Sequence, residues 1–188
     1  PDSSKATLSL DDPCGGLALQ GKILHQKSPI IEATLHADSL DLNEIGLIDI
    51  HEGKTFSASI RTNLEGTNIE HVTGRIIVDS LTMHRPTGDY RIKEVALYAS
   101  DPRNKMLSLK SDFMDATFRG ELTYRSLANS LLGHLHHSLP SLCSDHDHIE
   151  PEQANLCLAN IEVYDTAPLR ELLLLPISNT GNAQFSIL

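Results

Sequence analysis

Five histidines crowd a short stretch of the chain: His134, His136 and His137, then His146 and His148 interleaved with Asp145 and Asp147. Imidazole and carboxylate together are the ligand types that hold zinc and similar ions. The metalloprotease signature H-E-x-x-H, which sets two imidazoles four residues apart around a general base, does not occur. His136 and His137 are adjacent and would project to different sides of a helix. The expected reading is a solvated polar loop over residues 140–153, with no metal and no other cofactor.

Cys143 sits near these histidines, which raises a Cys-His nucleophile. That chemistry requires a base held at fixed geometry, and no spacing supplies it. The carboxylates Asp11, Asp12, Asp112, Asp115, Glu150 and Glu152 fall at turn-like positions, and no pair is set at a glycosidase separation. There is no phosphate-cradling loop and no dinucleotide fingerprint. A non-catalytic protein is expected; a metal-dependent enzyme built on the histidine loop is the reading that elemental analysis would remove.

Charge narrows the partners further. Against 25 Asp and Glu stand 15 Lys and Arg, a formal charge of -10, and the basic residues are scattered singly. No basic stripe can displace counterions from a phosphate backbone, so nucleic acid is excluded as a partner. Cys14, Cys143 and Cys157 are odd in number and match no zinc or redox spacing, which argues against a disulfide framework. No apolar run approaches the roughly 20 residues of a membrane span, and no signal peptide is visible. The chain reads as an internal piece of a longer repetitive protein.

The elements that would position any site are strands. Residues 55–64 (TFSASIRTNL) put Phe56, Ala58, Ile60 and Leu64 on one face and Ser57, Ser59, Arg61 and Asn63 on the other. Successive strand side chains point to opposite faces, so this is a half-buried strand. The same alternation marks 94–99, 107–113 and 116–124, and further strands are expected over 6–10, 16–24, 30–37, 72–83, 155–164 and 183–188. One-sided burial favours antiparallel pairing, and turn signals at 52–53, 86–89 and 101–104 separate the strands. One short helical turn is expected over 40–48, and short helices over 126–138 and 168–175, the last opening on Pro168.

The expected fold is therefore mainly β: an antiparallel meander of repeated hairpins forming a curved, β-taco-like sheet that is apolar on one side, with one or two short helices. Aromatics are only 4% against 40% hydrophobic residues, so its apolar face must be aliphatic. Residues 1–188 read as a single β-rich fragment. Within it VTGRIIVDSL (72–81) can be laid on FRGELTYRSL (118–127), each preceded by an alternating strand, giving repeat units of 54–81 and 105–127.

Residues 73–100, 107–127 and 159–176, and most specifically Ser-Asp-Phe followed by Gly-x-Leu-x-Tyr-x-Ser-Leu, resemble the TamB family. This is the AsmA-like translocation and assembly module of the Gram-negative envelope. The resemblance implies a periplasmic segment of a protein anchored in the inner membrane, whose β-repeats curl into an apolar trough. It implies phospholipid as cargo and neighbouring repeats of the parent chain as partners. An outer-membrane assembly protein would engage through a C-terminal module that this sequence lacks.

An acyl chain asks for no polar constellation, only a continuous oily surface. Phe56, Ile60, Ile76, Val78 and Val95 are the candidates for it in the first half. Leu97, Leu107, Leu109, Phe118 and Leu122 continue it. The same faces could instead seal a closed core, or the sheet edges could act as a structural scaffold that pairs with client strands.

Overall fold

The structure, a computed structural model, describes residues 2–45, 53–100, 105–121, 123–127, 156–173 and 183–187. It is mainly β and divides into two compact units, Pro1–Ala99 and Ser100–Leu188. The first holds β1 (Ser3–Asp12), β2 (Gly15–Leu24), β3 (Ile30–Leu40), β4 (Thr55–Glu65), β5 (Thr73–His84) and β6 (Tyr90–Ser100). The second holds β7 (Lys105–Ser111), β8 (Met114–Glu121), β9 (Leu156–Val163), helix α1 (Ala167–Leu173) and β10 (Ala183–Ile187). In each unit the strands lie in chain order and each pairs antiparallel with the next, so the expected meander of hairpins is what forms.

Local chemistry explains the turns. Between β1 and β2 the Asp12 carboxylate accepts the Cys14 N–H at 3.1 Å, and Gly15 follows at φ 124. A Cβ at Gly15 would lie 2.6 Å from the Leu40 Cα, so only glycine lets β3 come this close. Between β4 and β5, Asn68 caps a single 3-10 turn, Ile69–His71, its side-chain oxygen accepting the N–H groups of Glu70 and His71. Ser111 Oγ closes the β7–β8 hairpin by accepting the Met114 N–H at 2.9 Å.

The first unit's sheet is interrupted by two bulges. Register slips between Ala37 and Leu40 on β3 and between Ser57 and Ser59 on β4, and the extra residues fall beside Ser39 (φ 51) and Ser80 (φ 56). The best-buried side chains of this unit lie beyond the bulges or, for Ala96, opposite Ile77 just before them. Phe56 faces Met83, which is wholly inaccessible, and Ile92 and Ala96 on β6 are nearly so.

In the second unit Ala116, Phe118, Ala159 and Leu127 form a core, with Leu107, Leu109, Met114, Tyr124 and Ile161 packed against it. Leu127 reaches it from a helical turn at residues 124–127, which Thr123 caps by accepting the Ser126 N–H at 3.0 Å. The sequence pattern carries the strand to Tyr124 and starts the helix at Ser126, whereas the helical turn begins at Tyr124. The cap wins because the Thr123 hydroxyl satisfies a helical donor that a strand would not present. In α1, Asp165 accepts the Ala167 N–H at 2.8 Å and Pro168 lies in the first turn, as the sequence implies. Where one helical turn is expected, over 40–48, Asp41 caps a turn through residue 45, and residues 46–48 lie outside the described residues.

The two repeat units fall on the hairpins β4–β5 and β7–β8. Their shared glycines, Gly74 and Gly120, have φ of 130 and 143. Past the glycines they diverge: Ser80 lies in a strand bulge, whereas Ser126 lies in the helical turn.

Candidate functional site

Register across the first unit sorts its side chains into two faces, because directly opposed residues of antiparallel strands point the same way. One cross-strand row runs Leu8, Leu19, Leu35, Ile60, Val78, Val95, each the direct partner of the next. A flanking row runs Ala6, Gly21, Ala33, Thr62, Ile76, Leu97. Beyond it lie Ile23, Ile31 and Leu64, and on the other side Leu10, Leu17, Ala37 and Ala58. The residues of these rows on β2 through β6 carry no charged side chain. Most of the face is only half-buried, and Leu8 and Leu10 are 57% and 53% exposed.

Five of the sequence-derived candidates, Ile60, Ile76, Val78, Val95 and Leu97, therefore meet on one aliphatic surface of the first unit. Phe56 shares the strand but sits beyond the bulges, buried against Met83. Leu107, Leu109 and Phe118 belong to the second unit, where they form part of its packed core. Leu122 is outside the described residues. Sequence reasoning left Leu8, Leu19, Ile23, Ile31, Leu35 and Leu64 out of the candidate set. The same period-two signal marks them, and only register shows that they are continuous with Ile60.

Polar chemistry in the first unit is concentrated elsewhere. Ser57 Oγ lies 2.9 Å from His84 Nε2, and His84 Nδ1 lies 3.0 Å from Asp89 Oδ1, an order of groups that resembles a Ser-His-Asp triad. The Ser57 oxygen already accepts the Ser39 N–H at 2.9 Å, and the Asp38 carboxylate stands 3.2 Å away. An anion beside the nucleophile destabilises the oxyanion that acyl transfer must build, which is the reverse of an oxyanion hole. The network instead ties β3, β4 and the β5–β6 turn together where the bulges leave backbone groups unpaired.

Cys14 donates to Glu44 at 3.2 Å, and its thiol is pushed up to about 12, first by hydrogen bonding to Asp12 and then to Glu44. The thiolate is the nucleophile, so these acidic neighbours make this cysteine a poor one. Among the described residues no group of three His, Cys, Asp or Glu side chains is placed to hold a metal. His134, His136, His137, Cys143, His146 and His148 lie outside the described residues.

No family model, curated protein or solved structure matches the chain. No helix among the described residues is long and apolar enough to cross a membrane. The functional reading therefore rests on the physical character of the two faces.

Proposed function

We propose that the chain is a periplasmic segment of a TamB-like bridge anchored in the inner membrane, and that it binds or conducts phospholipid acyl chains along an apolar β-surface in support of outer-membrane biogenesis. The observation that carries this is the aliphatic ladder from Leu8 to Val95, which among the described residues is half-buried and at Leu8 exposed. Contiguous apolar surface left open to solvent is costly, and where a protein retains it the surface usually meets something. A chain covering about 300 Å² of it gains about 7 kcal/mol before ordering costs. An alkyl chain needs no hydrogen bonds, and the face offers almost none.

The test is organic extraction of the purified protein followed by mass spectrometry. Phospholipid should co-purify in stoichiometric amounts. Protein free of lipid that also fails to take up a fluorescent acyl chain from vesicles rules the reading out.

A second reading, a scaffold for outer-membrane protein insertion that works by edge pairing, is favoured by β1. All ten of its residues are exposed, and it is the first strand of the sheet order. An open strand edge is a template for adding another strand. Cross-linking from β1 into a client β-strand would favour this role over lipid carriage.

A further inference from the structure

The polar face of the first unit has an order of its own. Opposite the aliphatic rows, one cross-strand row runs Lys5, Lys22, Glu32, Asn63, Arg75, Tyr98, and the next runs Thr7, Gln20, Thr34, Arg61, Ile77, Ala96. The β1 to β5 members of these rows line a depression of about 430 Å³. Ligand sites commonly begin at about 300 Å³.

Cations collect at the two ends of this depression in a chain whose formal charge is -10. Lys5 and Lys22 stand directly opposite each other, a like-charge pairing that costs stability. Of the two, only Lys22 has a counter-ion among the described residues, Glu32 at 4.0 Å. At the other end Arg61 is engaged by Asp79 at 2.7 Å, with Glu94 beside it, while Arg75 has no ion-pair partner among the described residues. Between the ends are neutral hydrogen-bonding groups, Gln20, Thr34 and Asn63, and the Glu32 carboxylate, which accepts from Asn63 at 3.5 Å. The centres of the two cation pairs are three strand spacings apart, at most about 15 Å.

A single compact anion would engage one end and leave the other unused. The middle repels an anion, because Glu32 lies there, but suits a spacer rich in hydroxyls that donate to the carboxylate and accept from Asn63 and Gln20. We propose that this depression binds a ligand with two phosphate-type groups about 10–15 Å apart on a hydroxylated spacer, the chemistry of a bis-phosphorylated oligosaccharide. The site lies on the face opposite the acyl-binding surface and does not depend on it. Such a group occurs either as a free saccharide phosphate or as a lipid headgroup.

The probe is a disaccharide phosphorylated at both ends, titrated calorimetrically into the full chain at about 0.15 M salt. It should bind on the order of tenfold more tightly than the singly phosphorylated disaccharide or inorganic phosphate, since one charge-assisted contact is worth about that factor. Lys22→Gln and Arg75→Gln should each bring its affinity down to that of the singly phosphorylated compound while the circular dichroism spectrum is unchanged. If Lys22→Gln does not fold, Lys5→Gln on the exposed β1 replaces it.

Vesicles carrying the same headgroup on a lipid distinguish the source: retention of the protein marks a lipid headgroup, and binding in solution alone marks a free saccharide. Ile60→Glu should leave the titration untouched, so loss of acyl binding and loss of this site separate. Equal affinity for the singly and doubly phosphorylated compounds, or undiminished binding by Arg75→Gln, overturns the proposal.

Discussion

Arg61 and Asp79 share two hydrogen bonds, at 2.7 and 3.1 Å, and the Arg61 guanidinium holds the Asp79 carboxyl below its ordinary value. A carboxylate whose folded pKa is depressed contributes stability above its unfolded pKa, about 4, and that contribution is lost as pH falls through the folded value. Acid denaturation followed by circular dichroism should therefore show Arg61→Gln losing its deficit relative to the parent chain below about pH 4, with only a small deficit at neutral pH because Arg61 is exposed. Cys14 gives a second readout at this scale. Its thiol should react with iodoacetamide at pH 8 at least about tenfold more slowly than a free cysteine, and Glu44→Gln should speed the reaction. Ser57 should stay unlabelled by a fluorophosphonate, because Asp38 stands where an oxyanion would need donors. None of these three partnerships is legible in sequence. They join positions 18 to 30 residues apart, and only strand register brings them together.

At the scale of elements, alternation carries most of the information. A strand with one oily face announces itself residue by residue, and β2 to β6 lie where that pattern places them, within a few residues at each end. What the pattern does not carry is any break in the alternation. Ser39 and Ser80 adopt left-handed backbone inside strands, and nothing in their neighbours' hydropathy marks the bulges that reset the register there. Gly74 is the opposite case, a glycine whose place in the repeat pattern has a steric reason. A Cβ there would collide with the Asn63 carbonyl, and the backbone sits at φ 130. Gly74→Ala should cost about 1–3 kcal/mol in urea denaturation, whereas the same change at Gly53, where a Cβ would meet nothing within 4 Å, should cost less despite its φ of 68.

At the scale of the whole molecule, the same sequence signal has two physical outcomes. In the second unit the oily face is closed, because residues 124–127 turn into a helix and place Leu127 over Phe118 and Ala159. In the first unit the six-strand aliphatic ladder remains half-open. Alternation predicts both faces equally well and therefore cannot tell a core from a surface; the difference lies in the covering element, whose cap is a single threonine. A pair of substitutions separates these outcomes. Ile60→Glu places a charge on a face where the side chain can reach solvent, so the protein should fold with a small stability loss, but bound phospholipid should fall sharply in the extract. Leu109→Glu places the same charge against a packed core, where an unpaired carboxylate is strongly disfavoured, so the loss should be several kcal/mol and should appear as cooperative unfolding at lower denaturant. Denaturation curves and lipid content measured on both variants settle the assignment. If Ile60→Glu destabilises as much as Leu109→Glu, the first unit's face is a packed core; if it folds normally and still retains lipid, the ladder is not where lipid binds.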